Sequence, residues 1–210
     1  MSFPLPRPAH LAILASGRGS NLHSILEAFP AGNSLAKVQL VISNKPHAAA
    51  LQRAHAAGID ALYIPFGRDR DTFEGRVRDE LDRRNIDLIC LAGFMRVLSP
   101  AFVTRYRGRI LNIHPSLLPR FPGLEAPRQA LEAGAKESGC TVHFVDEGVD
   151  TGPPIVQRSV PVLPGDTPDT LAARILNEEH QAYPDAIRRV LTGRATPASE
   201  PGGHAEEPGA

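Results

Sequence analysis

The sequence predicts an α/β fold: a Rossmann-like, doubly wound, mostly parallel sheet with an antiparallel C-terminal strand pair and a long C-terminal helix. Short apolar runs alternate with amphipathic, helix-like segments through the first half of the chain. Parallel neighbours in a sheet need crossover connections, which these helices supply. Near the C-terminus two strand-like runs follow one another without a helix between them, and they predict the antiparallel pair. A chain of 210 residues is long enough to bury a substantial core as one domain.

The first half is predicted to alternate strands with helices. Apolar runs place the strands at residues 10–14, 38–42, 61–64 and 87–92. Apolar residues at helical spacing place the helices at 22–29, 46–57 and 71–84. Gly58 is expected to close the second helix, and Asp71 with Glu74 resembles a capping box at the start of the third. The last of these strands is apolar from Leu88 to Ala92, so we expect it to be buried on both faces.

The segment after the fourth strand is predicted to extend the sheet. Ser99-Pro100 starts a short helix, and residues 109–113 form the next strand. Residues 115–127 are rich in proline and glycine and exceed a minimal connection, so a mobile or substrate-covering loop is expected. One or two helical turns are expected at 129–133.

The C-terminal part carries the change of pattern. Residues 140–145 and 155–160 alternate like strands and are expected to pair antiparallel. Thr167-Pro168 then gives an N-cap and first turn to a long amphipathic helix, which Pro184 is expected to kink. Residues 193–210 are dominated by Gly, Pro, Ala and Glu, which predicts a disordered tail.

Composition and charge exclude several classes of protein. Lys plus Arg equals Asp plus Glu, at 23 each, so an overall electrostatic attraction to nucleic acid is not indicated. No apolar run approaches the roughly twenty residues of a membrane span, and the N-terminus lacks a signal-peptide core. A cytoplasmic protein is expected. Cys90 and Cys140 lack CxxC spacing and lie in strand-like runs, which favours buried thiols over a disulfide or a nucleophile.

A glycine-rich turn joins the first predicted strand to the first helix. In Gly17-Arg18-Gly19-Ser20-Asn21, unpaired N–H groups and the positive end of the helix dipole face the turn. Leu22 stands where a dinucleotide fingerprint has its third glycine, and no Gly-Lys-Ser/Thr of a Walker A loop follows. We therefore expect a monophosphate as ligand. A tight structural turn capped by Ser20 or Asn21 is the alternative.

Asn112 and His114 stand two residues apart at the end of the fifth predicted strand. Side chains at i and i+2 of a strand share a face, so both can reach one small reacting group. A carboxylate beside His114 would favour an imidazolium that donates to an oxyanion, with Asn112 as second donor, as acyl transfer to an amine requires. Asp146, Glu147 and Asp150 are candidates that charge pattern alone does not separate. A polar strand end without a catalytic role is the alternative.

The remaining polar residues carry weaker signals. Gly93-Phe94-Met95-Arg96-Val97-Leu98 follows the fourth strand and suits the lining of a flat aromatic ligand, or a plain transition from core to loop. His143 is expected to be a satisfied strand histidine. Ser116 has no nearby sign of a triad, so no covalent nucleophile is predicted. No metal-ligand spacing is found among His23, His47, His55, His143 and His180, and His204 lies in the predicted tail.

Five motifs stand together in a specific order. They are Ser16-Gly17-Arg18-Gly19-Ser20-Asn21-Leu22, Ile42-Ser43-Asn44, Leu91-Ala92-Gly93-Phe94-Met95-Arg96-Val97-Leu98-Ser99, Asn112-Ile113-His114-Pro115-Ser116-Leu117-Leu118-Pro119 and Asp150-Thr151-Gly152-Pro153. As a set they resemble phosphoribosylglycinamide formyltransferase, the folate-dependent GAR transformylase of purine synthesis. The resemblance spans roughly residues 9–193. It implies one domain at 1–192, with a phosphate-binding half at about 9–108 and a folate-binding and catalytic half at about 109–192.

The resemblance implies transfer of a formyl group from 10-formyltetrahydrofolate, a co-substrate, to the glycyl amine of 5-phosphoribosylglycinamide. Position by position, Gly19, Ser20 and Asn21 would hold the substrate phosphate, and Glu179 would contact the glycinamide substrate. The residues that would contact the folate are Arg70, Met95, Arg96, Val97, Leu98 and Asn112.

The same resemblance assigns the chemistry. Asn112 and His114 would polarise the formyl oxygen and stabilise the tetrahedral intermediate. Asp150 would keep His114 protonated and help move protons from the attacking amine to the leaving nitrogen. The loop 146–152 would wrap the pterin through its backbone, and no metal is implied.

Small-molecule substrates are the partners implied, without nucleic acid or membrane, for a monomer or homodimer. Methionyl-tRNA formyltransferase and formyltetrahydrofolate deformylase share the later motifs but usually carry an extra basic or regulatory domain, which is not expected here. A non-enzymatic folate- or nucleotide-binding sensor on the same fold is a further alternative. One departure concerns Glu125 and Pro127, which stand where several relatives carry histidines, so the resemblance leaves open whether that loop helps to close the site.

Overall fold

The structure, a computed structural model, describes residues 3–67 and 69–197. Within these residues seven strands form one sheet in the order β3-β2-β1-β4-β5-β6-β7. The strands are β1 Ala9–Leu14, β2 Ala36–Ser43, β3 Asp60–Tyr63, β4 Leu88–Leu91, β5 Ile110–His114, β6 Glu137–Phe144 and β7 Pro154–Pro161. The helices are α1 Ser20–Ala28, α2 Ala49–Ala56, α3 Arg70–Arg83, α4 Pro100–Arg105, α5 Ala126–Glu132 and α6 Pro168–Leu191.

The sheet is parallel from β3 to β5 and antiparallel from β5 to β7. The predicted mostly parallel sheet, the antiparallel C-terminal pair and the long C-terminal helix are therefore confirmed. The chain builds outward from β1 in one direction and then resumes at β4 on the other side of β1. Such a reversal leaves a crevice at the carboxyl ends of the two strands, which is where ligands of this architecture bind.

Helices cover both faces of the sheet, and each face has its own apolar cluster. Alternate residues of β1 divide between them: Leu11 and Ile13 pack with α1 and α6, while Ala12 and Leu14 pack with α3 and α4. Because a strand presents successive side chains to opposite faces, a central strand covered on both sides must be apolar throughout. All four residues of β4 are buried, as predicted.

The start of α3 differs from the prediction. The N-cap is Asp69, whose carboxylate accepts from Asp71 N (3.0 Å) and Thr72 N (3.1 Å). The capping box predicted at Asp71 is therefore wrong. Glu74 is buried and accepts from the backbone N–H (2.6 Å) and the hydroxyl of Ser99, the residue that caps α4. A tertiary contact thus takes the carboxylate that a local capping box would use.

Other boundaries shift by a few residues. Helix α2 begins later than predicted, whereas α5 begins earlier and takes Pro127 into its first turn. Helix α6 is capped by Thr167, as predicted, and is one continuous helix across Pro184. In the segment predicted to be a tail, Gly193 ends the turn that follows α6, residues 194–195 form a bend, and Ala195 packs against the core. Residues 198–210, including His204, lie outside the described residues. Among the described residues, no helix is both long and apolar enough to cross a membrane.

Candidate active site

The turn between β1 and α1 has the geometry of an anion-binding loop. Gly19 is the N-cap of α1 with φ of 72°, and a Cβ there would lie 2.8 Å from Ala50 Cα. Glycine is therefore required both by the left-handed backbone and by the close approach. The first intrahelical bond runs from His23 N to Gly19 O (3.0 Å), so the N–H groups of Ser20 and Asn21 lie ahead of it at the helix terminus. Such a terminus favours an anionic group.

This turn lines a cavity of about 550 Å³ that Glu179 of α6 also lines. The residues predicted to bind the phosphorylated substrate, Gly19, Ser20, Asn21 and Glu179, are thus brought together. Asn21 Nδ2 donates to Glu179 Oε2 (2.7 Å), and both side chains are buried. The Asn21 carboxamide is therefore engaged with α6, and its backbone N–H is the group available to an anion. Burial raises the pKa of Glu179, although the bond from Asn21 opposes that shift.

A second cavity, of about 440 Å³, opens beside the loop that follows β4. Met95, Arg96, Val97 and Leu98 line it, together with Asn112. Met95 and Val97 are 63% and 60% exposed, which is unusual for apolar side chains of this size and is typical of a ligand-binding rim. The Arg96 guanidinium lies 4.7 Å from the centroid of the Phe66 ring. Five of the predicted folate contacts therefore border one cavity.

Arg70 is the exception among the predicted folate contacts. It is the first residue of α3, is exposed and is not among the residues that line the cavity. Its assignment stays a prediction.

Asp150 is the centre of a polar cluster at the inner end of the second cavity. Its carboxylate lies 3.3 Å from His114 Nδ1 and accepts from Asn112 Nδ2 at 3.4 Å and from Gly123 N at 2.9 Å. Burial would raise the pKa of Asp150, but the nearby imidazoles of His143 and His114 and the hydrogen bond from Gly123 N outweigh it and lower the pKa. The carboxylate is thus held in its charged form.

The structure separates the three acids that the sequence left equivalent. Asp146 accepts from Gly148 N (3.1 Å) and from the Thr151 hydroxyl (2.7 Å), so it organises its own turn. Glu147 pairs with Arg107 (2.8 Å) on the outside of the molecule. Asp150 alone of these three acids reaches His114, and its backbone φ is 57°.

The imidazole of His114 has both ring nitrogens engaged. Nδ1 faces Asp150, and Nε2 lies 2.8 Å from the Phe121 carbonyl oxygen. A carbonyl oxygen only accepts, so Nε2 bears a proton. Phe121 belongs to the predicted covering loop, which contacts His114 through this carbonyl. The backbone φ of Phe121 is 56°. The loop is anchored to β6 by Leu118 N, which donates to Thr141 Oγ1 (3.0 Å).

His143 is a member of this cluster that the sequence analysis treated as a satisfied strand histidine. It is satisfied in part, because its Nδ1 donates to the Phe144 carbonyl (2.8 Å). Its Nε2, however, lies 3.2 Å from Asn112 Nδ2 and 3.6 Å from Asp150 Oδ1. Asn112 and His143 are directly opposed in the β5–β6 pairing. Only knowledge of that register would have identified His143 from the sequence.

Other candidate chemistries find less support. Cys90 and Cys140 are free and buried, and burial raises the pKa of each thiol to about 12, so neither is a nucleophile at neutral pH. Across residues 3–67 and 69–197, no group of three or more His, Cys, Asp or Glu side chains is arranged to hold a metal ion.

The two cavities meet at a shared wall. Gly93, Met95 and Pro115 line both. A ligand in the phosphate cavity and a ligand in the apolar-rimmed cavity would therefore approach each other beside Asn112 and His114. This arrangement suits transfer of a small group between two bound molecules.

Known proteins are similar to this chain in sequence and fold. Residues 9–187 match the model of the formyl transferase family. A phosphoribosylglycinamide formyltransferase of Escherichia coli (strain K12) is 46% identical over 187 residues, which cover 88% of this chain and 88% of that protein. The crystal structure of glycinamide ribonucleotide transformylase 1 from Symbiobacterium toebii has a TM-score of 0.87 at 48% identity and covers 90% of this chain and 91% of that one.

A larger protein contains a related segment. The trifunctional purine biosynthetic protein adenosine-3 of Drosophila melanogaster is 53% identical over 193 residues, covering 90% of this chain. The chain spans only 14% of the length of that relative. With the family model matched along most of the sequence and the bacterial enzymes alike in both sequence and fold, this chain belongs to the formyl transferase family, among the phosphoribosylglycinamide formyltransferases.

Proposed function

We propose that this protein transfers the formyl group of 10-formyltetrahydrofolate to the glycyl amine of 5-phosphoribosylglycinamide in purine biosynthesis. The observation that carries the proposal is the Asn112, His114 and Asp150 cluster beside the junction of two cavities. One cavity holds a helix N-terminus suited to a phosphate, and the other has an apolar rim suited to a flat ring system. The two ligands of the reaction match these two chemistries.

The phosphorylated substrate is held at the N-terminus of α1. The N–H groups of Ser20 and Asn21, with the close turn at Gly19, bind the phosphate oxygens. Glu179 faces the same cavity and contacts the remainder of the substrate. Its bond to Asn21 links recognition of the phosphate end to recognition of the glycinamide end.

The folate occupies the cavity beside the loop after β4. Backbone groups of residues 95–98 supply hydrogen bonds to the pterin, and the 146–152 loop closes around it. Arg96 lies at the rim, where its charge is available to the carboxylates of a folate. Arg70 is assigned to the folate by its position in the family pattern.

The proposed roles of Asn112, His114 and Asp150 follow from the charge that develops during formyl transfer. When the glycyl amine bonds to the formyl carbon, the formyl oxygen gains negative charge, and hydrogen-bond donors stabilise it. Asn112 and His114 are those donors, and each is worth about a hundred- to a thousandfold in rate by comparison with other oxyanion donors. Asp150 balances the positive charge on His114 and passes a proton from the amine toward the leaving nitrogen. Before His114 Nε2 can donate to the formyl oxygen, the Phe121 carbonyl must move away from it.

The same reasoning extends to the organisation of the chain. We infer a single domain at residues 1–192, with the phosphate-binding half at about 9–108 and the folate-binding and catalytic half at about 109–192. The partners are the two small molecules, with no metal, nucleic acid or membrane. We infer a cytoplasmic monomer or homodimer.

A formyl-transfer assay with three acceptors tests the function. Purified protein is given 10-formyltetrahydrofolate with phosphoribosylglycinamide, charged initiator tRNA or water alone, and the formylated product or formate is measured. We expect transfer to phosphoribosylglycinamide to dominate. Preference for tRNA would indicate a methionyl-tRNA formyltransferase, preference for water a deformylase, and binding without turnover a sensor.

A further inference from the structure

A chain of hydrogen bonds crosses the ends of three neighbouring strands, β2, β1 and β4. Met95 N donates to Ser16 Oγ (3.0 Å), and the Ser16 hydroxyl donates to Asn44 Oδ1 (2.7 Å). Ser16 N also donates to Gly93 O (3.0 Å). The residue that opens the phosphate turn is therefore bonded twice to the segment after β4 and once to the end of β2.

Met95 is the residue whose position this chain of bonds determines. It lines both cavities, and its side chain is 63% exposed, so apolar packing contributes little to holding it. Asn44, in contrast, is only 6% exposed and gives the chain of bonds a fixed anchor. A hydroxyl that accepts one hydrogen bond while donating another strengthens both. Ser16 thus fixes Met95 relative to the phosphate turn.

We propose that Ser16 is a positioning residue for formyl transfer, because its hydroxyl holds Met95 at the wall between the two cavities. The inference rests on the function proposed above and deepens it. Ser16 acts through Met95 and touches no reacting atom. With Met95 in place, the amine in one cavity meets the formyl carbon in the other, and the wall keeps water away from that carbon.

Loss of the hydroxyl has a specific chemical consequence. When the wall loosens, water competes with the amine for the formyl group. The water oxygen then bonds to the formyl carbon, the bond from that carbon to N10 of the folate breaks, and N10 takes one proton from the water. Formic acid leaves and ionises to formate, so formate without formylated amine reports the failure.

Ser16→Ala, Ser16→Thr and Ser138→Ala form the test set. Ser16→Thr keeps the hydroxyl. Ser138 is a matched control, because it is also a serine, is buried in β6 and has a hydroxyl without a hydrogen-bond partner among the described residues. In Ser16→Ala we expect kcat to fall about ten- to a hundredfold and formate per formylated amine to rise about tenfold, as for a displacement near 1 Å. The KM for phosphoribosylglycinamide should change less than about twofold, because the N–H groups of α1 still bind the phosphate.

A second measurement does not depend on turnover. Exchange of the Met95 amide proton, followed by NMR, should accelerate in Ser16→Ala and stay at the wild-type rate in Ser16→Thr and Ser138→Ala. Provided that the wild-type protein is active, an unchanged ratio of formate to formylated amine in Ser16→Ala overturns the proposal. An unchanged Met95 exchange rate in Ser16→Ala also overturns it. A wild-type protein that fails to formylate phosphoribosylglycinamide overturns the proposed function instead, and the exchange rates still decide whether Ser16 holds Met95.

Discussion

Asp150→Asn is the substitution that tests the catalytic cluster most directly. The side chain keeps its size and an acceptor oxygen for Gly123 N, which lies 2.9 Å from the carboxylate. What it loses is the negative charge 3.3 Å from His114 Nδ1. The substitution therefore removes the balancing charge while leaving the loop contact intact.

The expected loss follows from the contact removed. A hydrogen bond to a charged partner contributes about 1.5–3 kcal/mol. At about 1.4 kcal/mol per tenfold in rate, kcat should fall roughly 10- to 150-fold. Because Asp150 acts on the charge of His114 and not on the phosphate, the KM for phosphoribosylglycinamide should stay within about twofold.

The effect of Asp150→Asn on the free energy of unfolding should also depend on pH. The pKa of Asp150 is lowered on folding, so its charged form stabilises the folded state above the ordinary value of 3.8. That contribution is lost as pH falls through the lower folded value. The difference in free energy of unfolding between wild type and Asp150→Asn should therefore shrink as pH falls below about 4.

Steady-state formyl transfer at several pH values and urea unfolding are the measurements. Asp185→Asn is the control, since Asp185 pairs with Arg189 at 3.0 Å on the surface of α6 and is remote from the cluster. A kcat for Asp150→Asn within about threefold of the control would refute the assigned role, because even one charge-assisted bond is worth more.

Three further predictions concern the donor, the phosphate turn and the buried acid. His114→Ala should lower kcat by about a hundredfold or more and leave phosphoribosylglycinamide affinity nearly unchanged; an unaltered rate in the transfer assay would remove His114 from the mechanism. Gly19→Ala places a Cβ 2.8 Å from Ala50 Cα in a left-handed backbone. The strain, about 1–2 kcal/mol, should raise the KM for phosphoribosylglycinamide about tenfold, and equal loss of folate affinity by calorimetry would contradict the phosphate assignment. Burial raises the pKa of Glu179 above 4.5, so at neutral pH its charge costs stability. Glu179→Gln should therefore unfold at higher urea at pH 7, with the gain vanishing below about 4.5, and should raise the KM for phosphoribosylglycinamide; lower stability at pH 7 would contradict the sign.

Sequence patterns predicted the sheet because the relevant signal is local. A strand buried on both faces must be apolar at every position, and β4 carries that signature within four residues. Likewise, Thr167-Pro168 predicted the start of α6 from the cap and first turn alone. Such features depend on residues adjacent in sequence.

The errors came where a distant residue decides the local structure. The spacing of Asp71 and Glu74 suits a capping box, but the Glu74 carboxylate accepts two hydrogen bonds from Ser99, the N-cap of α4. The N-cap of α3 is therefore Asp69 and not Asp71. His143 looked like an ordinary strand histidine, and only its register opposite Asn112 brings it to the cluster. Strand register across a connection of this length is set by the whole sheet, which no local pattern encodes.

The strand order also constrains the size of the molecule that accepts the formyl group. The phosphate turn containing Gly19 follows β1, and Asn112 and His114 end β5, with β4 between them. Two interstrand spacings of about 4.8 Å therefore separate the anion site from the catalytic strand by roughly 10 Å. A small phosphorylated amine spans that distance, so one molecule can place its phosphate at the N-terminus of α1 and its amine beside His114. Because the phosphate is held at one end of the molecule, its binding also orients the amine at the other end, where the reaction takes place. The sheet itself thus favours a short phosphorylated acceptor over water, which cannot use the anchor.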